Sequence, residues 1–115
     1  MTQGGKTVRK LQPADQAAAL GFRARLEDVM PILDLRVFGS RARGEAQEDS
    51  DLDIFIKLAN LDRGLREHIY DLAWEVGFEH DRIISTFVVT EQQIQEGAVG
   101  ASPLLAKVFE EGIVV

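Results

Sequence analysis

The sequence predicts a fold of mixed α/β (α+β) class, with a small mixed β-sheet and helices packed mainly on one side. Apolar strand patterns alternate with helical patterns along the chain, and a polar, glycine-bearing segment separates the first two strands. A length of 115 residues suits one domain. Residues 1–12 have no periodicity and are expected to form a loose lead-in, so the domain is predicted over residues 13–115.

Two long helices are predicted from the spacing of apolar residues. Pro13 suits the first turn of a helix that ends before Pro31, and its buried face carries Ala18, Phe22, Leu26 and Val29. A second helix is expected over residues 62–76, with Gly77 as its C-terminal cap. Its buried side chains are Leu65, Ile69, Leu72 and Val76.

The C-terminal region is predicted to hold two shorter helices. Thr90 and Gln93 have the spacing of a capping box, so a short helix should begin there. A last helix begins at Ser102-Pro103, ends at Gly112 and buries Leu105, Val108 and Phe109. Strands are predicted over residues 33–38, 52–56 and 83–89, and residues 113–115 can add a short edge strand.

The overall charge limits the classes of partner. The net charge is −6, whereas a domain that grips nucleic acid usually has a basic surface, so a long polynucleotide is disfavoured. No segment is apolar enough to cross a bilayer, and the N-terminus lacks the apolar stretch of a secretion signal. There is no cysteine, which excludes a disulfide framework and a thiolate metal site. These absences favour a cytoplasmic protein.

The first part of a candidate site is the turn that follows the strand 33–38. Gly39 lets the backbone approach a ligand, Ser40 adds a hydroxyl, and N–H groups at the start of a short helical turn would face a phosphate. Arg41 and Arg43 can add charge-assisted hydrogen bonds. Both arginines can also be interpreted as solvated turn residues. For Arg41 the sequence favours neither interpretation over the other, whereas the position of Arg43 in the motif favours a functional role.

The second part is a pair of carboxylates at the next strand. Asp51 and Asp53 are two residues apart, so they project to the same side of a strand while Leu52 and Ile54 point into the core. Neighbouring carboxylates repel unless a cation neutralises them. Mg²⁺ is typically held by one or two carboxylates together with substrate phosphates, so the pattern predicts a nucleoside triphosphate held with Mg²⁺.

Together these residues resemble a known signature. Gly-Ser followed after ten residues by Asp-x-Asp is similar to the motif of the DNA polymerase beta-like nucleotidyltransferases. The fuller pattern resembles the minimal nucleotidyltransferases, which include the antitoxins of HEPN–MNT toxin–antitoxin pairs; it is Gly39-Ser40-Arg41-Ala42-Arg43-Gly44 with Ser50-Asp51-Leu52-Asp53. The resemblance extends from the helix before Gly39 to the ending Glu111-Gly112-Ile113.

The resemblance implies transfer of a nucleoside monophosphate from ATP or another NTP to a hydroxyl, with release of pyrophosphate. Asp51 and Asp53 would be catalytic and hold Mg²⁺, and Gly39 and Ser40 would bind the β- and γ-phosphates. Active relatives carry a third carboxylate on the strand after the second helix. The strand expected over residues 83–89 has none: Ser85 stands at the expected position, and Asp81 lies four residues away, about 13 Å along a strand.

Three functions remain open at this point. The first is an antitoxin enzyme that transfers AMP to a HEPN-type toxin partner, since the chain is too short for a separate acceptor domain. The second is a module that neutralises its partner by binding alone, which the missing third acid favours. The third is a small-molecule nucleotidyltransferase of the antibiotic-modifying kind, which usually needs an additional domain. The oligomeric state is open as well, a homo-oligomer included.

Overall fold

The computed structural model describes residues 10–115. The elements in chain order are α1 (Pro13–Glu27), β1 (Asp34–Phe38), α2 (Ser40–Arg43), β2 (Leu52–Leu58), α3 (Arg63–Glu79), β3 (Ile84–Thr90), α4 (Glu91–Glu96), a 3₁₀ turn (Ala98–Ala101), α5 (Pro103–Glu111) and β4 (Ile113–Val114). The predicted order of helices and strands is therefore confirmed over this range. None of these helices is long and apolar enough to cross a membrane.

The four strands form one mixed sheet in the order β3-β2-β1-β4. β1 pairs with β2 and β4 in antiparallel fashion. β2 and β3 are parallel, because α3 returns the chain to the same edge of the sheet before β3 begins. The predicted mixed sheet is confirmed, and the parallel pair brings the starts of β2 and β3 side by side.

The two faces of the sheet have separate cores. The alternating side chains Leu52, Ile54 and Ile56 of β2 join the larger core, to which α1 and α3 also contribute. The other face carries a smaller core that includes Phe55 of β2 with Leu105 and Val108 of α5. The two long helices thus lie on one face, as predicted, and the short C-terminal helix covers the second.

Several predicted caps are confirmed. The Thr90 side chain accepts from the Gln93 N–H, and the Gln93 side chain accepts from the Thr90 N–H, which completes the capping box. Ser102 caps α5, and Gly112 ends it. Among the side chains predicted to be buried in the last helix, Phe109 is 44% exposed. Its ring packs edge-on against the Phe55 ring, with the centroids 5.7 Å apart.

Other details differ from the prediction. Gly77 does not cap α3, which continues to Glu79, but lies buried within the helix. Glycine is needed there because a Cβ would collide with the carbonyl oxygen of Arg82. Val29 is exposed, since α1 ends at Glu27 and Met30 is buried in its place. Leu11, in the segment predicted to be a loose lead-in, is buried in the larger core. Residues 1–9 of that segment lie outside the described residues.

Candidate functional site

The Gly39-Ser40 turn and Asp53 lie against each other. Phe38, the last residue of β1, pairs with Asp53 near the start of β2, so the turn continues from β1 directly beside this carboxylate. Gly39 has a φ of 77°, and a Cβ at this position would overlap the Asp53 carboxylate. Glycine is therefore required both by the backbone conformation and by the approach of the acid. The predicted juxtaposition of turn and carboxylate is present.

The carboxylate pair has an unfavourable electrostatic environment. Asp53 is partly buried, and burial is the largest cause that raises its pKa. The neighbouring charge of Asp51, which lies one residue before β2, raises this pKa further, and Glu111 adds to it. Arg43 opposes the shift by lowering the pKa. The site thus gathers negative charge that a cation would neutralise.

Glu111 is a site residue that the sequence reasoning missed. It is the last residue of α5, and its carboxylate accepts a hydrogen bond from the Gly39 N–H at 2.8 Å. The same oxygen accepts from Arg43 Nη1 at 2.9 Å, and the Glu111 side chain is only 11% exposed. The Gly39 N–H, predicted to face a phosphate, is therefore directed at a protein carboxylate. Gly39 contributes space to the site, and Ser40 is the first residue of α2, so its N–H lies at the start of that helix.

Arg43 lies near Asp53 at the candidate site. Its guanidinium contacts Glu111 and Glu45, each at 2.9 Å, and lies close enough to Asp53 to lower the pKa of that carboxyl. It is the last residue of α2, and Gly44 then ends the turn with a φ of 75°. An anion bound beside Asp53 would therefore meet a cation that is already held in position.

Arg41 is buried and structural, which corrects its assignment as a nucleotide-binding residue. Its side chain is 5% exposed, and its Nη1 donates to the Asp15 carboxylate of α1 at 3.2 and 3.3 Å. Its other donors hold the backbone carbonyls of Gln47, Glu48 and Ser50. Asp15 also accepts from Arg82 Nε at 2.8 Å. Arg41 therefore fixes the loop that delivers Asp51 and Asp53.

Ser85 lies where the third acid was expected. Asp53 pairs with Ser85 across the parallel β2–β3 ladder, so a hydroxyl-bearing residue neighbours the catalytic candidate. Asp81 is not a substitute, because it lies in the turn before β3, exposed and with a φ of 55°. Within residues 10–115, no group of three or more acidic or imidazole side chains is placed to hold a metal ion. The Asp51–Asp53 pair still fits Mg²⁺, provided that phosphate and water supply the other ligands.

Replacing Gly39 by alanine tests the close approach. We expect a loss of about 1–3 kcal/mol in the free energy of unfolding, because the new Cβ strains the backbone and displaces Asp53. Gly44→Ala is the comparison: this residue also has a positive φ but lies in the left-handed helical region, and a Cβ there meets nothing within 4 Å. Urea denaturation should give a larger loss for Gly39→Ala. Equal losses would show that neither the backbone conformation of Gly39 nor the approach of Asp53 adds a cost.

Replacing Asp53 by asparagine should stabilise the ligand-free protein at neutral pH and raise its Tm. The raised pKa means that the ionised form is less stable in the folded chain than in the unfolded chain. The gain should therefore be full above the folded-state pKa and disappear as the pH falls towards the ordinary aspartate value of about 4. Thermal melts across this range, with Asp49→Asn as an exposed control, check the sign; a lower Tm at neutral pH would contradict it.

Comparisons with known proteins identify the family of the chain. Residues 21–114 match the nucleotidyltransferase domain family. No curated protein matches the chain. A solved minimal nucleotidyltransferase is 31% identical, with 88% of each chain covered and a TM-score of 0.51.

Two toxin–antitoxin structures share the fold at lower identity. One, with AMP-PNP, is 22% identical with a TM-score of 0.58, covering 81% of this chain and 68% of the other. The second is a tri-AMPylated Shewanella oneidensis HEPN toxin in complex with its MNT antitoxin, at 20% identity and a TM-score of 0.57, covering 87% and 70%. With the family match over residues 21–114 and the relative at 31% identity, the chain belongs to the nucleotidyltransferase domain family, in its minimal branch.

Proposed function

We propose that this chain binds Mg²⁺ with ATP or another NTP and transfers AMP to a protein acceptor, a HEPN-type toxin, as the antitoxin of the pair. The observation that carries the proposal is the Asp53 carboxylate packed against the Gly39-Ser40 turn, with Asp51 beside it. The named fold neighbours add support, since one of them holds an AMPylated HEPN toxin with an MNT antitoxin.

The roles follow from the positions of the side chains. Asp51 and Asp53 would hold Mg²⁺, which when bound neutralises the carboxylates and stabilises charge on the phosphates. Ser40 would donate its N–H and hydroxyl to a phosphate, and Arg43 would add positive charge beside Asp53. Glu111 would orient Arg43 and Gly39. Arg41 would act only as a positioning residue for the carboxylate loop.

The proposed reaction forms one bond and breaks another. The acceptor hydroxyl oxygen attacks the α-phosphorus of ATP, the bond from this phosphorus to the bridging oxygen breaks, and pyrophosphate leaves. The hydroxyl proton passes to water. Ser85 beside Asp53 supplies no carboxylate to accept this proton, so slow turnover is expected.

The second candidate is a module that neutralises its partner by binding alone. Ser85 is the specific observation that favours it, because the position beside Asp53 lacks an acid. In that case nucleotide could still bind at the turn, but no adduct would form on the partner. The two candidates differ in a single readout, the mass of the acceptor.

The experiment incubates the chain with labelled ATP, Mg²⁺ and a purified HEPN-type partner, and then measures the partner's mass. Stepwise additions of AMP support the enzyme, and their absence in the Asp51→Asn/Asp53→Asn variant links them to this site. A tight complex without an adduct supports the binding module. Substituting aspartate for Ser85 is informative in the same assay, because an acid beside Asp53 should accelerate transfer if the missing carboxylate is what limits it.

A further inference from the structure

The exposed side of α3 carries a row of large aromatic side chains. Tyr70, Trp74 and Phe78 are four residues apart and therefore lie on one side of the helix, and we call them the aromatic strip. Trp74 is 64% and Phe78 87% exposed, and the exposed Ile83 continues the apolar surface beyond the end of α3. Single exposed apolar residues are ordinary, but an aligned group of this size is typical of an interaction surface.

The aromatic strip forms one wall of a groove of about 640 Å³. The lining also includes the loop segment 48–50 and residues 81–84. Asp51 and Asp53 lie outside the lining, one and three residues beyond Ser50. The groove combines an apolar wall with a polar one, so it suits an amphipathic segment better than a uniformly polar ligand.

The polar part of the groove is acidic. Glu48, Asp49 and Asp81 line it and are exposed, and none of them forms an ion pair within residues 10–115. The two arginines of the lining, Arg41 and Arg82, both pair with Asp15. The exposed negative side chains of the lining can therefore attract a cationic ligand, and the whole chain carries a net charge of −6.

The groove lies near the starts of β2 and β3, the same end of the sheet as the candidate site. Ser50, in its lining, directly precedes Asp51, and the Leu52 N–H donates to the Ile83 carbonyl at 2.8 Å. Ile84, also in the lining, directly precedes Ser85, which pairs with Asp53. Strand alternation places Asp53 and Ser85 on the opposite face of the sheet from α3, so a protein seated in the groove would reach these residues by extending past the starts of β2 and β3.

We propose that this groove is the docking site for the acceptor protein, and that its occupant is an amphipathic helix whose apolar side packs on the aromatic strip and whose flanking lysines or arginines meet Glu48, Asp49 and Asp81. A nucleic acid is disfavoured, because its phosphates would face three carboxylates. A second copy of this chain is disfavoured by its own negative charge. The inference rests on the proposed function and names the surface that recognises the partner.

The test measures the dissociation constant of the complex with the HEPN-type partner used above. Trp74→Ala and Phe78→Ser should each weaken binding by about 10-fold or more, as aromatic contacts at the centre of interfaces do. Glu48→Gln with Asp81→Asn should weaken binding and reduce its dependence on salt. Leu104→Ser is the control, because this apolar side chain is also exposed but lies on α5; its affinity should be unchanged.

Further readouts separate the possible failures. The affinity of the Trp74 and Phe78 variants for ATP should equal that of the wild type. Their weaker AMP transfer should appear as a higher KM for the acceptor protein, with kcat unchanged. If the wild type forms the complex and the strip variants bind it as tightly, the docking site is overturned while the proposed function stands. If the wild type binds no such partner, both are overturned. Loss of self-association in the strip variants, with unchanged partner binding, assigns the groove to a second copy and overturns the proposal.

Discussion

Replacing both Asp51 and Asp53 by asparagine is expected to lower AMP transfer to the acceptor on the order of 10²-fold or more, at least ~2.7 kcal/mol of barrier. Asparagine keeps the shape of each side chain but removes the charge that would hold Mg²⁺ against the phosphates. The rate of AMP incorporation, measured at saturating acceptor, checks this expectation.

The same substitutions should leave the fold intact. Asp51 is exposed. The raised pKa of Asp53 means that the ionised carboxylate destabilises the folded state, so loss of these two charges should not unfold the protein. Circular dichroism of the double variant is the control. A folded double variant with unreduced transfer would assign catalysis to other residues.

Replacing Arg41 by alanine is expected to cost about 3–5 kcal/mol of the free energy of unfolding, because it leaves the buried Asp15 with one cationic partner fewer and releases the loop carbonyls. Such a loss is a large part of the stability of an ordinary domain, about 5–15 kcal/mol. Urea denaturation gives the value directly. Arg41→Lys should recover only part of it, since lysine cannot reproduce the forked geometry.

Arg43→Ala is the matched control for this prediction. Arg43 belongs to the same four-residue helix but is exposed, and its ion pairs with Glu45 and Glu111 lie at the surface or near it. Its removal should cost about 1 kcal/mol or less. Nucleotide affinity should show the reverse order, falling more in Arg43→Ala than in a folded Arg41→Lys. Equal stability of the two alanine variants would contradict the structural role of Arg41.

Much of the fold could be predicted because its signals are local. Pro13 begins α1, the Thr90–Gln93 capping box begins α4, and Gly112 ends α5, each through contacts within a few residues. The alternation in β2 likewise separates the core side chains from Asp53. The Gly39-Ser40 turn and the two acids could be predicted as neighbours because β1 and β2, the strands beside them, are joined by one loop and pair with each other.

The remaining features depend on contacts between distant parts of the chain. Arg41 is buried because it pairs with Asp15, which lies 26 residues before it in the chain. Neither residue indicates this pairing in the sequence. Gly77 is needed for the approach of the Arg82 carbonyl rather than for a helix end. Glu111 reaches Gly39 because β4 pairs with β1 in a register that brings residues 111 and 39 together. A sequence prediction that paired the C-terminal strand with β1 in this register would have placed Glu111 opposite Gly39.

Calorimetric titration of ATP into the wild-type chain, with and without Mg²⁺, examines whether Asp51 and Asp53 join a divalent ion to a nucleotide at the Gly39-Ser40 turn. We expect ATP to bind tightly only with Mg²⁺, and the Asp51→Asn/Asp53→Asn variant to lose this dependence. ATP binding that is equal with and without Mg²⁺, or no binding at millimolar concentrations of both, would contradict the assignment of these two acids.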